Sequence, residues 1–232
     1  MGSHEALDIK VVPIPDEAGI SRFCEIEDEA FGESSDLMAL MWGLNKKVTP
    51  AEEKKAFEVK VKEQCRLWAE DPTTHFIHAV LPDGTVAGVG RWSFFPGKGE
   101  DQFGWPRNFG PNANKEMCDS FFGIIGDKRI EALKGKPYWL MALLAVLPQY
   151  QRKGVGKKLL AWGTDQADKN GHGCWIDATP QGKALYEQVG WEVYENIDTD
   201  LEVWGGEKYK GNISRICAML RKPKGQKVAT KV

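Results

Sequence analysis

The eleven residues at 137–147, PYWLMALLAVL, carry no charged side chain. A strand that apolar cannot show a face to water, so it belongs inside a sheet covered by other elements on both sides. The run is also well short of the roughly 20 residues that a membrane helix needs. Directly after it comes PQYQRKGVGKKLLAWGTDQADKNGHG, in which apolar residues return at helical spacing from Val155 until the glycines at 171 and 173 end the pattern. A buried strand feeding straight into a helix predicts an α/β architecture with a covered sheet.

The rest of the chain agrees with that class. LDIKVVPI (7–14) reads as a first strand stopped by Pro13 and Pro15, and Asp16 caps a helix running to Phe31 with Ile20, Phe23, Ile26 and Ala30 on one face. Pro50 opens a long second helix with Phe57, Val61, Cys65 and Trp68 in one stripe. HFIHAVL (75–81) and TVAGVGRWSFF (85–95), joined by Pro-Asp-Gly, predict a hairpin. A Gly-, Pro- and aromatic-rich loop comes next, then a helix over 115–134. After the glycine-stopped helix come a strand at 174–179, a short helix at 183–190, and strands at 191–197 and 212–220. The expected order is β-α-α-β-β-(α)-β-α-β-α-β-β, a mixed sheet with helices on both faces. No linker divides residues 7–220, which are expected to form one domain. Residues 1–6 read as an appended, flexible N-terminus, and residues 221–232, with five cations and no acid, as a basic flexible tail.

Composition narrows the function. A net charge of −2 gives no argument for a nucleic-acid partner. The five cysteines (Cys24, Cys65, Cys118, Cys174, Cys217) are odd in number and never spaced CxxC, which points to reduced thiols and a cytoplasmic setting. His75 and His78, three apart on a strand, point to opposite faces and make no metal pair.

The informative junction is QYQRKGVGKK (149–158). The first N–H groups of a helix have no intrahelical partners, and with the helix dipole they favour an anion. Gly154 and Gly156 lack a Cβ, so a ligand can approach the backbone, and Arg152, Lys153, Lys157 and Lys158 add positive charge. A helix start with solvated lysines is the plain alternative. The spacing fits neither GxxxxGK[ST] nor GxGxxG, whose third position is Leu159 here. It does fit Gln151-x-x-Gly154-x-Gly156 after a buried strand ending Val-x-Pro-x-Tyr, and GKALYEQVGW (182–191) stands downstream of it.

In these segments, from about 137 to 193, the chain resembles the GNAT superfamily of acetyl-CoA-dependent N-acetyltransferases, whose motifs are [Gln/Arg]-x-x-Gly-x-[Gly/Ala] and LYxxxGF. Trp191 stands where the second motif has Phe. The resemblance implies a mostly antiparallel sheet splayed at the acetyl-CoA site. It places the coenzyme A pyrophosphate on the amides around Gln151, Arg152, Lys153, Gly154, Val155, Gly156 and Lys157. It also pairs the pantetheine arm with backbone groups of Leu144 and Val146, with Ala145 between them on the other face.

The same resemblance puts Tyr186 near the thioester sulfur as the acid that protonates the departing thiolate. The competing reading has its ring packed under the sheet and its hydroxyl bonded to backbone. No general base can be read from the sequence. Asp177, one position short of its strand end, is a candidate, and a turn residue serving Thr179 or nearby N–H groups is the alternative. No cysteine nucleophile or metal site is visible, so direct transfer in a ternary complex is expected. Two acidic segments, one holding Glu25, Glu27, Asp28, Glu29, Glu33 and Asp36 and the other Glu192, Glu195, Asp198, Asp200, Glu202 and Glu207, either border the acceptor site or are solvated faces. The aromatic loop from Trp92 to Phe109 is either a lid or a dimer contact. The expected partner is a small-molecule amine, with no nucleic acid and no membrane, and the protein a monomer or homodimer. A protein acetyltransferase and a non-catalytic acyl-CoA-binding protein are the rival readings.

Overall fold

The computed structural model describes residues 7–31, 35–43, 49–97, 109 and 112–224. A seven-stranded sheet in the order β1-β2-β3-β4-β5-β7-β6 runs through it. Its strands are β1 (Lys10–Pro13), β2 (Thr74–Val80), β3 (Val86–Phe95), β4 (Tyr138–Val146), β5 (Gly173–Ala178), β6 (Glu192–Asp200) and β7 (Ile213–Arg221). All neighbours are antiparallel except β4 and β5. The apolar run therefore lies at the centre of the sheet, as its composition demands.

One face carries α5 (Val155–Asn170) and α6 (Pro180–Glu187). The other carries α1 (Glu17–Phe31), α2 (Asp36–Trp42), α3 (Pro50–Glu70) and α4 (Lys115–Leu133). The start of α3 stems from its sequence. Thr49 and Glu52 form a capping box and Pro50 sits in the first turn, where its missing N–H costs nothing. Trp68 then ties α3 to the first strand region by donating its indole N–H to the Ile14 carbonyl at 3.2 Å. On the opposite face Trp92 lies flat on Gly163 and donates to the Leu159 carbonyl at 3.2 Å, so a side chain at Gly163 would collide with the indole ring. That contact fixes α5 against the sheet.

Two helices go beyond the sequence expectation: α2, capped by Ser35, and the five-residue α7 (Leu201–Gly205). The basic tail also begins later than expected. Arg221 is 5% exposed and grips Asp168 of α5 through two hydrogen bonds of 2.8 and 2.7 Å, and the Lys224 backbone N–H donates to the same carboxylate at 3.0 Å. A buried bidentate ion pair pins residues 221–224, and residues 225–232 lie outside the described residues.

Asp168→Ala leaves that guanidinium buried without its partner and is expected to cost about 3–5 kcal/mol. Hydrogen bonds from Arg221 hold the Asp168 carboxyl below its ordinary value. A depressed native pKa contributes stability above the unfolded value near 4 that is lost as pH falls through the native value. Denaturant titrations of the two proteins should thus differ most at pH 7 and converge towards pH 3.

Candidate functional site

β4 stays paired with β3 from Tyr138 to Val146, but it pairs with β5 only from Tyr138 to Leu140. Beyond Leu140 the sheet is split. A bulge accompanies the split: Trp92 faces Met141 while its neighbour Arg91 faces Leu143, leaving Ala142 as the extra residue. The register then decides which backbone groups face the gap. The Leu147 N–H donates to the Ala87 carbonyl at 3.1 Å, towards β3. In an antiparallel ladder alternate residues turn their N–H and C=O to opposite sides, so Leu144 and Val146 direct theirs into the gap. Their side chains pack towards α5, whereas Ala145, 3% exposed, packs towards α1. The Val146 carbonyl already accepts the Gln151 side-chain amide at 3.1 Å, so Gln151 ties the turn to the strand edge.

The strand leads through a 3-10 turn (Pro148–Tyr150) to Arg152, with φ of 57°, and Gly154, with φ of 89°, before α5 begins at Val155. The first backbone bond of α5 runs from the Lys158 N–H to the Gly154 carbonyl. The N–H groups of Arg152, Lys153, Gly154, Val155, Gly156 and Lys157 have no acceptor among the described residues. The side chains of Arg152, Lys153 and Lys157 are exposed around them. The two glycines serve different ends. Gly154 needs its left-handed backbone, and a Cβ there would meet nothing within 4 Å. At Gly156 a Cβ would lie 2.9 Å from Leu185 of α6, so this glycine admits a neighbouring helix as well as any ligand. The Leu185 contact also brings the turn beside α6, which holds Tyr186.

Thr179 caps α6 by accepting from the Gly182 N–H at 3.3 Å. The Tyr186 ring passes over Gly182, where a Cβ would come within 2.9 Å, and meets Trp191 edge-on at 6.1 Å. Burial raises the phenol well above its ordinary pKa, so the hydroxyl is neutral and available as a donor. That hydroxyl makes no hydrogen bond to any of the described residues. The ring is packed, and its hydroxyl stays without a partner among the described residues.

Asp177 does not serve Thr179. Its Oδ1 accepts the Trp175 indole N–H at 2.9 Å, and its Oδ2 is buried without a partner among the described residues. Arg129 of α4, which nothing in the sequence singles out, is 1% exposed and has no hydrogen-bond partner for Nε, Nη1 or Nη2 among the described residues. Lying among Lys128, Ile130 and Glu131, it reads in sequence as one more solvated cation.

The acidic segments are largely spent on local pairs. Glu27 and Asp28 both bind Lys60, Glu195 binds Lys128, and Asp198 holds Arg215 through two bonds of 2.6 Å. Asp200 caps α7, while Glu33 lies outside the described residues. The solvated-face alternative fits these pairs. His75 stacks on Trp139, while His78 reaches the Gly19 carbonyl across the other face. His172 is half-buried against Phe94. Most of the aromatic loop, residues 98–108, lies outside the described residues. Burial pushes the Cys24 and Cys174 thiols up to about 12 and Cys118 up to about 11, so none of these is a thiolate nucleophile. Among the described residues no three His, Cys, Asp or Glu converge as metal ligands, and no helix is long and apolar enough to cross a membrane.

Residues 118–193 match the family model of the acetyltransferase (GNAT) domain, a span that includes the split, the turn and Tyr186. Over these residues the chain is similar to the GNAT acetyltransferases. Solved structures of GNAT-type enzymes share its fold over almost all of its length. Arylalkylamine N-acetyltransferase 2 of Aedes aegypti aligns over 93% of this chain and 99% of its own, with a TM-score of 0.60 at 16% identity. A polyamine N-acetyltransferase of Drosophila melanogaster, which forms N-acetylagmatine, aligns over 93% and 100%, with a TM-score of 0.62 at 12% identity. An acetyltransferase of Corynebacterium glutamicum related to a histone acetyltransferase aligns over 95% and 99%, with a TM-score of 0.57 at 19% identity. The search of curated proteins returned no match. In GNAT terms, the expectation of a mostly antiparallel, splayed sheet with helices on both faces holds.

Proposed function

We propose that the chain moves an acetyl group from acetyl-CoA to the primary amine of a small molecule, by direct attack in a ternary complex. The observation that carries this reading is the continuity of the split and the turn. The edge of β4 at Leu144 and Val146, unpaired with β5, leads directly to six consecutive N–H groups without acceptors among the described residues. A donor with an amide-bearing arm and a pyrophosphate matches both parts. The arm adds to the β4 edge as a strand would, and the pyrophosphate takes the N–H groups from Arg152 to Lys157 at the positive end of α5. The thioester then lies in the split, beside α6.

Chemistry at that point needs a proton for the departing sulfur. The Tyr186 hydroxyl, neutral and free of partners among the described residues, supplies it. A retained donor of this kind favours a transferase over a protein that only binds acyl-CoA. Small amines are favoured as acceptors because the similar structures of insect origin are named for arylalkylamines and a polyamine. The test is to incubate the protein with acetyl-CoA and, separately, arylalkylamines, agmatine, other polyamines and a lysine peptide, tracking acetylated product by mass spectrometry. Acetylated small amine is the expected result. Product from the peptide alone would reassign the acceptor to protein, and coenzyme A binding without any product would leave a binding protein.

A further inference from the structure

Asp177 lies two residues beyond Trp175, the last β5 residue to pair with β4, so it stands where the split begins. Residues two apart on a strand share a face, and the Trp175–Asp177 hydrogen bond confirms that they do. Trp175 belongs to the core layer beneath α4, and α4 presents Arg129 to the same region. The charged and titratable groups around the carboxylate are few. Arg129 faces it from α4 and Tyr138 from β4, Trp175 holds it from its own strand, and β7 sets the apolar Ala218 opposite. Arg129 and Asp177 do not touch: neither a hydrogen bond nor an ion pair links them among the described residues. The guanidinium lies over the Phe95 ring at 5.9 Å, and Phe95 stacks on Tyr138 at 4.8 Å.

Packing gives no reason for this arrangement. A buried cation without acceptors among the described residues and a carboxylate with one oxygen unsatisfied among them both cost stability, and apolar residues of the same size would serve the core better. Uncompensated groups of this sort are kept where a site uses them.

We propose that Asp177 is the proton acceptor of the acetyl transfer, its free Oδ2 receiving the ammonium proton of the incoming amine. Arg129 is the positioning residue that keeps the carboxylate ionised. This rests on the acetyl-transfer reading above and assigns its missing base. One N–H bond of the ammonium breaks and its proton goes to Oδ2. The freed lone pair forms the N–C bond to the thioester carbonyl carbon. Collapse of the tetrahedral adduct breaks the C–S bond, and the sulfur leaves with the bonding pair and takes a proton from Tyr186. The acylated nitrogen then loses its second proton, which restores the phenol, and the proton on Asp177 passes to solvent. Ammonium and thioester thus become amide, thiol and one free proton. Burial pushes the Asp177 carboxyl up to about 6, against the pull of Arg129 and the Trp175 hydrogen bond. A base with that value is ionised at neutral pH yet still basic enough to accept a proton there.

The experiment is a pH–rate profile with agmatine and tryptamine as acceptors, beside calorimetric affinities for coenzyme A. Wild-type kcat should fall on the acid side with an apparent pKa near 6. Asp177→Asn should lower kcat by about 10²-fold and abolish that limb, with coenzyme A affinity unchanged. Asp177→Glu, which keeps a carboxylate, should retain the limb, and it takes the place of Asp177→Asn if that variant fails to fold. Arg129→Met removes a cation, so the limb should move to higher pH, while Arg129→Lys should leave it near the wild-type position. Retention of kcat within about threefold in Asp177→Asn overturns the assignment alone, as does a limb that Arg129→Met leaves in place. Absence of turnover by the wild-type protein with every amine overturns the acetyl-transfer reading and this inference together.

Discussion

Tyr186→Phe is expected to lower turnover by about 10²- to 10⁴-fold, the usual worth of a positioned acid, with little change in acetyl-CoA affinity. The structure sharpens the contrast with a purely structural role. The ring packs over Gly182 and against Trp191, and phenylalanine keeps both contacts. The hydroxyl has no hydrogen-bond partner among the described residues, so its removal forfeits none of the roughly 1 kcal/mol that an internal bond would contribute. The melting temperature should therefore stay level or rise slightly while kcat collapses. Because the loss is confined to the transition state, kcat and kcat/KM should fall together. Unchanged turnover in a protein of unchanged stability would transfer the acid role to water or another residue.

Gly154→Val should weaken coenzyme A binding by about 10²- to 10⁴-fold and leave the fold in place. The φ of 89° at Gly154 is open to glycine and strained for a β-branched residue. No atom lies within 4 Å of the position a Cβ would take, so the variant meets no steric obstacle to folding. Relief comes from the backbone, which leaves the left-handed region and turns the neighbouring amides out of their native orientation. Loss of two bonds to a charged phosphate, each about 1.5–3 kcal/mol, accounts for the stated range. Calorimetry with coenzyme A and a far-UV melting curve on one preparation test it, and undiminished affinity would remove the turn from the cofactor site.

Neighbouring segments of the chain differ sharply in how legible they are from sequence. The central strand is legible because an uncharged eleven-residue run has one stable place in a sheet. The start of α3 is legible because Thr49, Pro50 and Glu52 state a cap locally. α2 escapes notice although Ser35 caps it and Leu37, Leu40 and Met41 are buried. Its seven residues are too few for periodicity to register. At the candidate site, a motif singles out the turn and Tyr186, and the motif cannot say that Gly156 also makes room for Leu185. Arg129 is invisible for a different reason. Its burial is imposed by residues distant in sequence, Phe95, Tyr138 and Asp177, and no short-range pattern distinguishes it from Lys128 beside it. The acidic segments mislead in the opposite sense, since Lys60, Lys128 and Arg215 meet them only once the chain has folded.

The split in the sheet also acts as a length gauge. Its closed end, at the Leu140–Trp175 pair, and the turn beyond Val146 belong to one continuous strand, so their separation cannot relax independently. Six residue steps of extended chain set that separation at roughly 20 Å. A donor that seats its anionic end on the turn can extend its arm no further than that span before the sheet closes. Acetylated thiols with shorter arms would fill one end or the other but never both, and would forgo the anchoring that converts a bimolecular encounter into an oriented one. Selection of the donor would thus come from the rigidity of a single strand more than from any side chain that touches the acetyl group.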